Sequence, residues 1–299
     1  MSPTGASADA RLAQFAVSPA RRRKDAIARA SILAATVIAL APLALIIYYL
    51  LSKGLSSWSW SFFTTDPTGN TFFSSSSIGG IKSALLGTIE MVALASTISI
   101  PIGIGVAVWL VEYGRASWFA NVVRFFVDVL TGVPSIIFGL FVYIVLIVGT
   151  GSSYAAYKGS IALSLLMLPI VIRSAEVILL LVPGALRESA LALGAPRWRM
   201  IFSIVLPTAL PGMVTGMLLA VARAAGETAP LLFTAAYTMK TNLSLGGFMN
   251  SLPVQIYNDV TSPTTAVVER AWGAALTLVV MILILNLLAR LVSRGSRLA

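Results

Sequence analysis

The chain contains no cysteine and no histidine. Without thiols there is no disulfide framework, no thiol nucleophile and no cysteine-based metal site. Without imidazole the commonest general base and the usual metal ligand are both gone. No Gly-Lys dipeptide occurs anywhere, so the glycine-rich phosphate loop of ATP-hydrolysing proteins is missing. Charge is scarce as well: Asp, Glu, Lys and Arg make up 11% of the 299 residues, against about 25% in soluble domains.

Apolar residues take up the difference. They form 58% of the sequence, with a mean hydropathy of +0.91, which places the chain among integral membrane proteins. The formal net charge of +10 does not point to nucleic acid, because in a polytopic membrane protein an excess of Lys and Arg marks cytosolic loops. Six apolar stretches are long enough for a bilayer core that takes about 20 helical residues. They run at about 30–51, 84–111, 122–148, 159–182, 204–226 and 271–292. Pro101, Pro134 and Pro169 fall inside spans, where neighbouring helices can satisfy the freed backbone groups.

Between the spans the composition shifts. Residues 1–29 are polar and basic, with Arg21, Arg22, Arg23 and Lys24 together, and read as a disordered cytosolic tail. Residues 52–82 form an external loop, with Trp58, Trp60, Phe62 and Phe63 suited to a membrane interface and a serine run at 74–77. Residues 229–270 are long and semi-polar. Six spans put both termini on one side. That side carries 14 Lys and Arg against 5 on the other, so both termini are expected in the cytosol. Omitting the tail leaves 8 against 5, the same sign.

This orientation places Glu188–Ser203 in the cytosol. Glu188–Leu193 favours helix, Gly194 permits a left-handed end, and Pro196 cannot continue it. Ser189, Ala190 and Ala192 are small enough for another surface to approach, and Arg197 and Arg199 flank Trp198, a knob for a groove. The spacing Glu-Ser-Ala-x3-Gly-x9-Ile-x-Leu-Pro, on Glu188, Ala190, Gly194, Ile204, Leu206 and Pro207, resembles the cytosolic signature of bacterial ABC importer permeases. Ser189 stands where that signature has its first Ala. Further strings resemble the phosphate permease subunits of that family, the PstA type: Thr131–Leu140, Leu168–Arg173, Arg223–Thr234, Leu252–Tyr257 and Arg270–Ala275. The resemblance covers roughly residues 80–299.

The resemblance implies an all-α, six-span type I ABC importer permease with a MetI-like core. Its domains would be the tail 1–29, a first transmembrane helix 30–51, the external loop 52–82, a permease domain 83–293 with a coupling loop at 184–203, and a cytosolic C terminus 294–299. It implies one half of a phosphate pore in the bacterial cytoplasmic (inner) membrane. The implied partners are a homologous second permease subunit of the PstC type, two ATPase subunits of the PstB type, and a periplasmic or lipid-anchored phosphate-binding protein of the PstS type. No cofactor belongs to this chain; ATP and Mg would be bound by the partner ATPase. Glu188, Ala190, Gly194, Arg197 and Trp198 would form the loop docking on that ATPase.

The intramembrane charges have their own physical logic. Arg173 lies near mid-depth of its span, where a charge costs about 2.5–3.5 kcal/mol and signals function. Arginine offers a fork of donors matching paired phosphate oxygens. Arg223 is a second such group, nearer the outer end. Under the resemblance Arg173 and Arg223 meet the anion, while Glu227 tunes Arg223 or supplies the repulsion that prevents tight trapping. The competing account is packing: Glu176 at i+3 and Glu227 at i+4 could each neutralise an arginine on the same helix face. Asp128 is read as capping or pairing at the Pro134 kink, Glu90 as pore lining or subunit contact, Glu112 as interfacial, and Arg115 and Arg124 as ordinary positive-inside residues. A permease for another oxyanion, molybdate or sulfate, and a secondary transporter without an ATPase are the alternatives.

Overall fold

The computed structural model describes residues 19–68, 79–114 and 117–295. Residues 1–18, the serine run at 74–77, Arg115 and Arg297 lie outside the described residues. All the named elements are helices, here numbered in chain order. They are α1 (Pro19–Ser57), α2 (Trp60–Thr64), α3 (Lys82–Tyr113), α4 (Trp118–Gly132), α5 (Ser135–Val148), α6 (Ala156–Leu181), α7 (Gly184–Ala192), α8 (Arg197–Ala225), α9 (Ala229–Thr234), α10 (Leu252–Val260) and α11 (Thr265–Gly295). α1, α3, α6, α8 and α11 are long and apolar enough to cross a membrane, and α4 and α5 pass the same test only as a pair.

The chain divides into two compact units, residues 1–52 and 53–299. The described part of the first is the bulk of α1. At 39 residues α1 extends about 58 Å, well beyond a hydrocarbon core of about 30 Å. Its helix begins at Pro19, so Arg21–Lys24 occupy its opening turns. The expectation of a disordered tail is therefore corrected from residue 19 onward: the residues between that proline and the first apolar run contain no helix breaker, so the helix begins ahead of the span. The side chains of α1 between Ile27 and Tyr49 are exposed, most of them large and apolar, as a lipid-facing span requires.

In the second unit α6 is the central helix. It packs against α3, α8, α4, α5 and α9. Two buried clusters follow its length: one joins Leu163 and Met167 to Met91, Ala95, Ala220 and Ala224, the other joins Ala175 and Leu179 to Ala107, Val111, Val205 and Met213. Small residues set the register of α6 against α8. A Cβ on Gly212 would meet the Ile178 side chain, and one on Gly216 would meet Ser174. Four residues up α8 thus match four residues back along α6.

The third span breaks where the sequence placed its Pro134 kink, and the fifth ends within one residue of its expected limit. The third bends by 104° between α4 and α5. Val133 is extended there, at φ −72° and ψ 131°, because the Pro134 ring disfavours helix in the residue before it. The fifth ends at Ala225 and resumes as α9 after Gly226, Glu227 and Thr228. At its other end α8 runs without interruption from Arg197 through Pro207 and Pro211, with a widened π turn at Ile201–Val205. Pro207 has no N–H to give the preceding turn, a standard cause of such a bulge.

Residues 58–68, 79–81 and 235–262 fold over one end of the unit. Asp66 accepts from both the backbone N–H (2.8 Å) and the hydroxyl of Thr241. Asn250 donates to Gln255 Oε1 at 3.1 Å, and Gln255 donates to the Gly80 carbonyl at 3.3 Å. Asp259 and Arg270 form a buried bidentate pair at 2.7 and 2.8 Å. Burial first, then the Asp259 carboxylate, pushes the Tyr237 phenol above its ordinary range. Within the semi-polar stretch 229–270, residues 235–262 therefore form an ordered cap.

Candidate functional site

At the end opposite the cap, α7 carries the coupling-loop motif. It stops at Ala192, and Gly194 takes φ +82°, the left-handed region where a side chain is penalised. The Ala195 N–H then returns to the Ala190 carbonyl at 3.1 Å, tying down a terminal carbonyl. Glu188, Ser189, Ala192, Arg197 and Trp198 are exposed. Leu193, 89% exposed, joins Trp198, 61% exposed, on the same loop; the sequence reading passed over Leu193. Ala190 behaves differently from the expectation that it leaves room for a partner. It is buried against Val182, Met200 and Ile201 and seats α7 on its own protein.

The residue holding α7 in place is Arg187, which carried no role in the sequence reading. Its Nε donates to Glu112 Oε1 at 3.0 Å, and its two terminal nitrogens donate to the Val182 and Leu179 carbonyls at 2.6 and 2.8 Å. It thereby caps the C terminus of α6 and binds it to the end of α3. Glu112, read as interfacial, is nearly buried in this pair. A groove of about 300 Å³ beside it has Glu112, Arg187, Glu188, Leu191 and Arg197 in its lining.

The intramembrane charges form two separate groups. The first links α4 and α6. Arg124 Nε donates to Glu176 Oε1 at 2.6 Å and Nη2 to the Leu110 carbonyl at 3.1 Å. Arg173 Nη1 donates to the other oxygen of Glu176 at 2.8 Å. The remaining edge of Arg173 holds Asp128 with two contacts, Nε to Oδ1 at 2.8 Å and Nη2 to Oδ2. The group is electrically neutral, which lowers the cost of holding four charges at membrane depth. Arg124 is thus no ordinary positive-inside residue, and Glu176, ranked low on sequence, is the carboxylate shared by two arginines. The available signal was spacing: Arg124 and Asp128 are i,i+4 on α4, and Arg173 and Glu176 are i,i+3 on α6.

Arg223 and Glu227 make the second group, Nε to Oε1 at 3.5 Å, with Arg223 half exposed. Glu227 lies past the end of α8, in the break before α9, so the two do not share a helix face as expected. Carried upward, the α6–α8 register sets Arg223 opposite Met167, eleven residues from Ala156 and fourteen from Leu181, close to the middle of α6. Arg173 is only eight residues from Leu181, about 12 Å. Along α6, Arg223 is therefore level with the middle of the helix and Arg173 lies nearer its α7 end. Non-helical backbone at that depth is tolerated where it is buried in protein or lines an aqueous cavity, and Gly226 is exposed. Among the described residues no His, Cys, Asp and Glu group suited to a metal is found.

Comparison with known proteins extends this picture. Residues 99–298 match the family model described as "Binding-protein-dependent transport system inner membrane component". The chain is 40% identical over 278 residues to the "Phosphate transport system permease protein PstA 1" of Mycobacterium tuberculosis (strain CDC 1551 / Oshkosh), covering 91% of this chain and 89% of that protein. It is 41% identical over 273 residues to the "Phosphate transport system permease protein PstA" of Yersinia pestis, covering 91% and 90%. Among solved structures, an inward-facing MetNI methionine ABC transporter matches with a TM-score of 0.57 at 21% identity, over 71% of this chain and 94% of that one. A bacterial alginate ABC transporter matches with a TM-score of 0.62 at 17% identity, over 91% and 96%. Those two likenesses concern the fold.

Proposed function

Because the chain belongs to the family of binding-protein-dependent transport system inner membrane components, within which it groups with the phosphate permeases of the PstA type, we propose that it forms one half of the translocation pore of an ATP-driven phosphate importer. It does no chemistry itself. ATP and Mg belong to a partner ATPase of the PstB type, a homologous permease of the PstC type supplies the other half of the pore, and a binding protein of the PstS type delivers phosphate at the capped end. The α7 end faces the cytosol, with both termini, in the bacterial inner membrane. Glu188, Gly194, Arg197 and Trp198 dock on the ATPase, and Ala190 and Arg187 hold that loop rigidly to α3 and α6. Drawing two such loops together on nucleotide binding would re-aim the spans.

The observation that carries this reading is the break between α8 and α9. Arg223 is half exposed beside that break, level with the middle of α6, and Glu227 is only loosely paired to it. A tetrahedral oxyanion needs cationic donors along its route but must not be trapped. Arg173 is the next guanidinium toward the cytosol. The test is radiolabelled phosphate uptake by the complex reconstituted in vesicles. Arg223→Gln should abolish uptake with assembly intact, and Glu188→Lys should uncouple it. Undiminished uptake in Arg223→Gln would remove the anion-path assignment.

A further inference from the structure

We propose that Asp128 is a built-in competitor for the transported anion. It occupies the anion-binding edge of Arg173 and yields it only while phosphate passes. The inference rests on the reading of Arg173 as part of the phosphate path.

The four-charge group between α4 and α6 is graded in burial. Side-chain exposure is 5% for Glu176 and 24% for Arg124, but 35% for Arg173 and 56% for Asp128. The buried half is an anchor. Glu176 takes Arg124 on one oxygen and Arg173 on the other, and Arg124 is further held by the Leu110 carbonyl and Asn121. With Nη1 fixed on Glu176, Arg173 presents its Nε–Nη2 edge to the open side. Two parallel donors on that edge suit the two oxygens of a carboxylate and, equally, two oxygens of a tetrahedral oxyanion. Asp128 has them now. An anion can reach this edge only by displacing Asp128.

The backbone around Asp128 fits that role. The residue sits four positions before Gly132, where α4 ends and the chain turns by 104°. The Asp128 side chain, more than half exposed, can leave Arg173 by a rotamer change, whereas the Glu176 side chain is held among buried neighbours on α6. With Asp128 in place the group is neutral; without it, a net positive charge faces the open side and would hold an anion for longer. The internal carboxylate thus sets a low residence time at Arg173. An internal ligand that occupies a site nine times in ten weakens apparent affinity about tenfold.

The test uses the assembled permease–ATPase complex without binding protein, and measures retention of radiolabelled inorganic phosphate together with uptake in vesicles. Asp128→Asn should retain phosphate about tenfold more tightly while uptake slows, and Asp128→Glu should restore both. Unchanged or weaker retention in Asp128→Asn overturns the proposal, as does a loss of thermal stability without tighter binding, which is what a merely structural pair would give. Arg173→Gln, with assembly of the complex checked, in parallel separates the two claims. If it abolishes uptake while Asp128→Asn leaves retention unchanged, only the competitor role fails; if it leaves uptake intact, the phosphate path through Arg173 fails.

Discussion

Arg187 and Arg270 are arginines whose work is structural, and their burial makes that measurable. Arg187 satisfies two helix-terminal carbonyls and the nearly buried Glu112. Removing one member of a buried ion pair costs about 3–5 kcal/mol, because the other charge is left uncompensated. Arg187→Ala should therefore lower the thermal midpoint of the purified protein in detergent and impair uptake through loss of the α7 seat. Asp259→Ala should destabilise by a similar amount, since Arg270 is as deeply buried. The double variant Asp259→Leu with Arg270→Met should recover most of that loss, as buried pairs replaced by apolar residues commonly do; if it is as unstable as Asp259→Ala, the pair is not the source of the effect. The sequence could name the charged residues inside spans but not their partners. Arg124 is 52 positions from Glu176 and Arg187 is 75 from Glu112, and such pairings depend on helix rotation and register.

At the level of the helices, close approach is decided by glycine. A Cβ on Gly139 would meet the backbone of Pro230 at 2.5 Å, where α5 crosses α9, while Gly105 in α3 has open space around it. Gly139→Ala should cost about 1–3 kcal/mol by overpacking, whereas Gly105→Ala should be neutral or stabilise by about 0.4–1 kcal/mol through the unfolded chain. Paired thermal unfolding of the two variants checks this. Gly194→Ala meets no neighbour and is penalised by φ alone, at about 1–2 kcal/mol. Its uptake should fall with the complex still assembled. The stop at Gly194 and Pro196 was readable from local chemistry. The kink at Pro134 and the end of the fifth span near Gly226 were readable too; the size of the turn at Val133, 104°, was not, because a proline within an apolar run permits a kink or a full turn and packing against α6 and α9 selects between them.

For the molecule as a whole, the absence of cysteine makes orientation testable. Ser189→Cys on α7 and Lys240→Cys in the cap both place a thiol at an exposed position. A membrane-impermeant maleimide should label Lys240→Cys in right-side-out vesicles and Ser189→Cys only in inverted ones. The opposite pattern would reverse the assignment of the α7 end to the cytosol. The structure adds that the loops after α3 and α6 lie at one end, joined by Arg187 and Glu112, and that Asp66 and Thr241 join the loops of the other end.

Sequence alone determined the class of this protein, the apolar runs that form its candidate spans, the helix stop at Gly194 and Pro196, and the identity of the charges to be explained. Composition, run length and turn chemistry are local properties, and each acts within a few residues along the chain. Tertiary structure decided the rest: that Arg223 comes level with the middle of α6, that Arg173 lies nearer the α7 end of that helix, and that its open edge is held by Asp128. These follow from how α4, α6 and α8 are rotated and staggered against one another, which is fixed by contacts between residues far apart in the chain.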